Sequence, residues 1–412
     1  MNSFENILLA PLYNLDFADF KKSLSEISKQ DRKKILNTIK SNKYSSIFLK
    51  YLSERKMYNL FTKDEITALE IESKRYQIQN LEIVKEVLNI DKIFKKNNLN
   101  PVYLKGVGLF HEFEDISLRP SNDIDILFSE EEVYKAYKVL KDNGYEEFRT
   151  TPKSEDQLKD YAKKHHDFPE LCRKTNIMIE LHHRVTAPSD FDMCPLRDQI
   201  FKNKIMFNFY GINIYKPNIN DLLIHLILHF SIQNFFENQI RIFFDISQIE
   251  KNYNIEWNEV YSSVDNAKIK KAILLSLGVF NYNYEMTNNF ESIRNKYSEI
   301  FPENNIINDC FHRTLRINGS NFPIKRLQII SSTENYYDYL SAIFNRIFLS
   351  KDNIVHVSRL KKTNLLTLIF HSVINFIKRV NFYVIDSIKL IFKKGKVYRE
   401  YENVRKIEKW IN

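Results

Sequence analysis

Asp123-Ile124-Asp125 is the pair of acids in this chain best placed to do chemistry. On a β-strand, residues i and i+2 project to the same side. The two carboxylates would then face one way while Ile124 and Ile126 face a core. Carboxylates that close repel, and one is pushed toward its neutral form unless a cation lies between them. A hard divalent cation with oxygen ligands, typically Mg²⁺, meets that need. Alone, the pattern more often marks a solvated strand. Its neighbours narrow the reading. Upstream, Leu104-Lys105-Gly106-Val107-Gly108 reads as a strand-to-helix turn whose backbone N–H groups could meet phosphate. Downstream, Ile179-Glu180-Leu181 puts a third carboxylate in a predicted strand, with Met178, Glu180 and His182 sharing a face. A glycine turn, a D-x-D and a later strand carboxylate together describe a site for two-metal phosphoryl transfer.

Other reactive side chains carry weaker signals. His165-His166, His182-His183 and the i,i+4 pair His225 and His229 raise the question of zinc. His225 and His229 sit among Leu and Ile, which favours core or groove histidines. His182 is the better functional candidate, because it shares a strand face with Glu180. Arg241 and Asp245 read as an intrahelical pair. The chain holds 31 Phe and 23 Tyr, and most of the Phe lie at apolar helix positions, where packing is the default role.

The elements that must position these residues are legible in outline. Residues 1–97 show apolar residues at three- and four-residue spacing and read as helices, with Thr62 and Asp64 as a start signal for the second long one. PVYL (101–104), DIDILF (123–128) and NIMIELHHRV (176–185) read as strands, and EEVYKAYKVLKDNGY (131–145) as a helix stopped by Gly144. GLFHEFED reads as a short helix and residues 150–170 as polar loop. From Asn218 the pattern is helical again, with a cap at Asn220 or Asp221. The expected fold is α+β and mostly helical: a small mixed sheet flanked by helical regions. Its expected parts are 1–97, an α/β core over 98–217, a helical region over 218–300 packing on the core, and a basic helical region over 301–412.

Composition removes several classes. The 412 residues include only seven glycines, where about 7% is usual. No G-x-G-x-x-G and no G-x-x-x-x-G-K-[ST] occurs, so neither a dinucleotide fingerprint nor a P-loop is present. Three widely spaced cysteines without C-x-x-C favour a reducing cytoplasm over a disulfide framework. The N-terminus lacks a basic n-region, so no secretory signal is read. The formal charge is +9, yet residues 361–412 hold 12 Lys and Arg against four Asp and Glu. The remainder is near neutral, which disfavours a nucleic-acid partner. The longest uncharged stretch there, Thr363 to Ile377, is 15 residues, short of the roughly 20 that span a bilayer. Two readings of that tail stand: a buried helix pair, or a basic amphipathic segment resting on anionic lipid at the inner face of the membrane.

In these motifs the chain resembles the polymerase-β-like nucleotidyltransferase superfamily, and within it a bacterial group of uncharacterised nucleotidyltransferase family proteins. The shared pattern is Leu104-Lys105-Gly106, Arg119, Asp123-Ile124-Asp125-Ile126-Leu127, Asn143-Gly144-Tyr145 and Glu180-Leu181-His182, followed by Asp221 with His225 and His229. It covers about residues 100–250. The resemblance implies that Asp123, Asp125 and Glu180 hold two Mg²⁺ (or Mn²⁺) ions and carry catalysis. It implies that an NTP is the donor and that a nucleoside monophosphate passes to a hydroxyl of a sugar, a metabolite or a protein. Lys105, Gly106, Gly108 and Arg119 would bind the nucleotide, and His182 would lie on the acceptor side or behind the ligands. The superfamily usually carries Gly-Ser or Gly-Gly at the turn, whereas Val107 follows Gly106 here. A catalytically weak or inactive scaffold on the same fold is the alternative.

Overall fold

The computed structural model of the chain describes residues 3–13, 16–148, 154–173, 177–186, 194–237, 239–282, 286–315, 373 and 395–411. The chain divides into two compact units: Met1–Glu303 with Cys310–Asn318, and Asn304–Asp309 with Gly319–Asn412.

Six helices open the first unit: α1 (Ser3–Leu8), α2 (Ala10–Tyr13), α3 (Phe17–Glu26), α4 (Lys29–Ser41), α5 (Ser45–Glu54) and α6 (Lys63–Lys96). Side-chain oxygens of Asp16, Ser28 and Thr62 cap α3, α4 and α6, satisfying backbone N–H groups that a helix start leaves open. At α6 the cap is reciprocal, and the partner of Thr62 is Glu65 rather than Asp64. The helix runs 34 residues, about 51 Å at 1.5 Å per residue. Its Ile83, Val87, Ile90 and Phe94 form one buried stripe that joins the core of the sheet.

Among the described residues, seven strands form one mixed sheet: β1 (Val102–Tyr103), β2 (Asp123–Leu127), β3 (Glu146–Glu147), β4 (Leu171–Cys172), β5 (Met178–His182), β6 (Ile205–Phe209) and β7 (Ile212–Lys216). Their order is β3-β4-β5-β2-β1-β7-β6. β2 lies at the centre, antiparallel to β1 and parallel to β5. The predicted strands at 101–104, 123–128 and 176–185 are therefore present, each shorter than its apolar run. The β6–β7 hairpin was not expected. Tyr210 (φ 46°) and Gly211 (φ 89°) make its two-residue turn, and the positive φ at both positions matches the right-handed twist of the strands.

Between the strands lie α7 (Lys105–Phe110), α8 (Glu130–Asp142), α9 (Glu155–Lys164) and α10 (Cys194–Asn203). Gly144 (φ 84°) ends α8 as expected, because only a residue without Cβ adopts that conformation at little cost. The polar segment 150–170 is not all loop. Ser154 caps α9 by accepting from Gln157 N at 3.2 Å, and Leu158 is the single apolar residue that it buries. One buried position gives too little periodicity to reveal a helix in the sequence.

The helices after the sheet are α11 (Ile219–Leu228), α12 (Arg241–Asn252), α13 (Trp257–Ser262), α14 (Ala267–Phe280), α15 (Phe290–Lys296) and α16 (Asn304–Thr314). Asn218, not Asn220 or Asp221, caps α11: its Oδ1 takes Asp221 N at 2.8 Å. One π-helical turn, His229–Gln233, extends α11 toward the site. The architecture is α+β and mostly helical. In the second unit the helix α17 (Gly395–Ile411) buries Val404, Ile407 and Ile411. Most of the basic segment 361–412, including the stretch considered for lipid contact, lies outside the described residues. No helix among the described residues is long and apolar enough to cross a membrane.

Candidate active site

The parallel register of β2 on β5 builds the site. It sets Asp123 opposite Met178, Asp125 opposite Glu180 and Leu127 opposite His182. Ile124, Ile126, Ile179 and Leu181 are buried on the other face in the core. Asp125, Glu180 and His182 thus meet on one face, their ligand atoms all within 4.8 Å of one another. Asp123, one pleat further along β2, falls outside that group.

The group carries its own cations. Asp125 Oδ1 lies 3.0 Å from Lys105 Nζ and 3.0 Å from His182 Nε2. His182 Nε2 is also 3.4 Å from Glu180 Oε2. Burial would raise the Asp125 carboxyl, but Lys105 and His182 outweigh it and hold Asp125 well below the usual carboxylate range. Burial would lower His182, yet its bonds to Asp125 and Glu180 raise it to about 10, so the ring is an imidazolium at neutral pH. Lys105 is raised as well: burial opposes, and the charges of Asp125, Asp123 and Glu180 prevail. Burial and the Asp125 charge push Asp123 up to about 6. Asp125 Oδ2 is buried and has no hydrogen-bond partner among the described residues. A buried carboxylate oxygen left unbonded is costly, and a divalent cation beside Asp125 and Glu180 would satisfy it. The donor set of two carboxylate groups fits a hard cation.

The loop before β2 forms the second wall. Asn80 of α6 holds it at both ends: Nδ2 donates to the carbonyl of Arg119 at 3.0 Å, and Oδ1 accepts from Ser121 N at 3.0 Å. Arg119 is buried and pairs through Nε with Asp245 Oδ1 at 2.8 Å. Arg241 donates to the carbonyl of Pro120 at 2.6 Å. The intrahelical Arg241–Asp245 pair is therefore not formed. Both residues of α12 turn to the loop instead, because the loop offers a buried guanidinium and the Pro120 carbonyl, which also takes Arg119 Nη1 at 3.3 Å. Ser121 Oγ lies 3.2 Å from the carbonyl O of Asp123 and 3.3 Å from its Oδ1.

Gly106 and Gly108 lie within α7 rather than in a loop before it. A Cβ at Gly106 would stand 2.5 Å from Ser121 Oγ, so glycine is what lets helix and loop approach. Gly108 serves packing: a Cβ there would stand 3.0 Å from the carbonyl O of Tyr103. Between the walls is a cleft of about 110 Å³ lined by Lys105, Gly106, Arg119, Ser121, Asp123, Asp125, His229 and Arg241, among others. Gly108, Glu180 and His182 do not line it. Burial drives His225 down to about 3 and His229 well below its ordinary value, so both rings are neutral. They are not part of the metal-ligand group.

The profile of the uncharacterised nucleotidyltransferase family matches residues 28–284. The chain belongs to that family. No curated protein and no solved structure matches it. The family match spans the sheet, α6 and α12, so every residue of both cleft walls falls within the nucleotidyltransferase region. Sequence reasoning missed Ser121 and Asn80 there and misassigned Arg241 and Asp245. Ser121 had a readable signal, a hydroxyl two residues before the D-x-D. Asn80, 41 positions from the loop, had none.

Proposed function

We propose that this chain is a metal-dependent nucleotidyltransferase that moves a nucleoside monophosphate from an NTP to a hydroxyl acceptor. The observation that carries the reading is the buried, partnerless Asp125 Oδ2 within a group of Asp125, Glu180 and His182, at the edge of a cleft walled by cations. Asp123, Asp125 and Glu180 would hold Mg²⁺ or Mn²⁺, which when bound neutralises phosphate charge and acidifies the acceptor hydroxyl. Lys105 and Arg119 face the cleft and orient the triphosphate, Lys105 as a point charge and Arg119 through the guanidinium N–H groups that Asp245 and the Pro120 carbonyl leave over. The acceptor oxygen forms a bond to the α-phosphorus while the bond to the bridging oxygen of pyrophosphate breaks. Glu180 takes the acceptor proton, and the pyrophosphate leaves with the bonding electrons. The cleft is smaller than the roughly 300–1,000 Å³ of common ligand pockets, so it would enclose phosphates rather than a whole nucleotide.

One observation favours a second reading, an inactive scaffold. Lys105 and a protonated His182 already neutralise most of the carboxylate charge without a metal. Uptake of Mn²⁺ followed by electron paramagnetic resonance, with each NTP present, separates the two. The enzyme reading expects Mn²⁺ uptake that Asp125→Asn and Glu180→Gln abolish, together with metal-dependent pyrophosphate release when a cell extract supplies acceptors. Absence of uptake by the unaltered chain with every NTP would leave the scaffold.

A further inference from the structure

Two cations beside the cleft have no carboxylate within ion-pairing distance among the described residues. Arg119 has Asp245, and Arg75 has Glu72. Lys43 and Arg241 have neither. Lys43 lies between α4 and α5 and donates through Nζ to Asn122 Oδ1, an amide oxygen that also takes Gln79 Nε2 at 3.0 Å. Asn122 in turn lines the cleft. Arg241 uses one Nη on the Pro120 carbonyl, and its side chain borders the same cleft. Both cations sit within reach of Asp123 and of each other's charge. Burial and the neighbouring Arg241 push Lys43 down to about 8, and burial and Arg119 push Arg241 down to about 10.

The backbone at Lys43 sharpens the point. Its φ is +58°, a left-handed conformation that suits Asn or Gly and is unfavourable for lysine. The fold therefore keeps a cationic side chain where Asn or Gly would be less strained, and its ammonium meets the Asn122 amide close to Asp123, Arg119 and Arg241. A bound anion would relieve the mutual repulsion of these cations.

We propose that Lys43 and Arg241 form a phosphate-binding subsite on the rim over Asn122, apart from the group of Asp125, Glu180 and His182. The nucleotidyltransferase reading enters only in naming the occupant, the pyrophosphate end of the NTP donor. The carboxylates repel that polyanion, and the cationic rim attracts it. The tail thus points away from Glu180, leaving the β5 side of the site to the acceptor. On this proposal the helices before the core are part of the site, since Lys43 and Gln79 come from them.

Isothermal titration with inorganic pyrophosphate in EDTA tests the subsite without metal or turnover. The unaltered chain should bind, and Lys43→Asn and Arg241→Gln should each bind about tenfold more weakly. Asparagine suits the left-handed backbone, so Lys43→Asn should melt no lower than the parent. Lys43→Arg and Arg241→Lys keep the charge and should keep binding. Displacement of pyrophosphate by NTP, and not by a phosphorylated sugar, assigns the subsite to the donor; the reverse assigns it to a phosphorylated acceptor. Failure of the unaltered chain to bind pyrophosphate, or equal binding by both neutral variants, overturns the proposal. The subsite can hold while metal-dependent transfer never appears, and it can fail while Asp125→Asn still abolishes transfer, so the two readings fall separately.

Discussion

Replacing the two acids of the D-x-D by their amides should move stability in opposite directions. Asp125 is fully buried, and its Oδ1 faces both Lys105 Nζ and His182 Nε2 at 3.0 Å. Asp125→Asn removes the counter-charge of two buried cations. Breaking a buried pair costs about 3–5 kcal/mol. The charges of Asp123 and Glu180 still act on Lys105, which brings the cost to the lower end, about 3 kcal/mol. Asp123 is in the reverse situation. Its carboxyl is raised to about 6, so the folded state disfavours the ionised form. A shift of about two units is worth roughly 3 kcal/mol, and screening at a part-exposed carboxylate reduces this to about 1 kcal/mol. Asp123→Asn should recover that amount at neutral pH. The pH signs follow from linkage. A carboxyl raised on folding loses stability as pH climbs from its unfolded value through about 6, so the gain from Asp123→Asn should be full at pH 7 and vanish in acid. His182, raised to about 10, contributes fully at pH 6 and loses its contribution as pH rises through about 10. The cost of Asp125→Asn should therefore be largest at about pH 6 and shrink toward pH 10. Urea unfolding of the three proteins in EDTA across that range measures both effects. Shifts of the same sign in the two variants, or an Asp125→Asn cost that stays constant to pH 10, would refute the assigned charge arrangement.

Two further substitutions probe the cleft walls. Gly106→Ala places a methyl 2.5 Å from Ser121 Oγ and 3.2 Å from its Cβ, and should cost about 1–2 kcal/mol. Adding Ser121→Ala removes the nearer clash, so a double-mutant cycle should show coupling of about 0.5–1 kcal/mol, and additive costs would contradict the contact. Arg119→Ala strands a buried Asp245 and should cost about 3 kcal/mol. The double variant with Asp245→Ala should recover much of that loss in the same urea assay. No recovery would mean that the ion pair is not what Arg119 supplies.

What could be read in the sequence was what depends on neighbours along the chain. The D-x-D alternation, the Glu180–His182 face and the Gly144 stop each rest on two to five consecutive residues, and each is where local geometry puts it. The α6 start at Thr62 was visible for the same reason, because a capping box spans four residues. The β6–β7 hairpin escaped because Tyr-Gly is an uncommon pair for a turn with two positive φ values. Helix α9 escaped because it buries one leucine. At the site, the parallel pairing of Asp125 with Glu180 needed 54 intervening residues to fold back in register. Nor could spacing show that Lys105 and His182 both bond one carboxylate oxygen and leave the other bare.

The turn without a serine illustrates why such non-local contacts decide function. By position, Val107 occupies the place where a hydroxyl would be expected, and the structure buries it in the core. A hydroxyl is nonetheless present against the same glycine, donated from the opposite wall by Ser121. Asn80 sets the height of that wall, since it clamps the loop on both sides of Pro120. Arg241 then holds the Pro120 carbonyl from α12. Helix, loop and strand thus meet at Gly106 with polar partners supplied from two distant segments, α6 and α12. Helices α6 and α12 therefore shape this cleft as much as the D-x-D strand does.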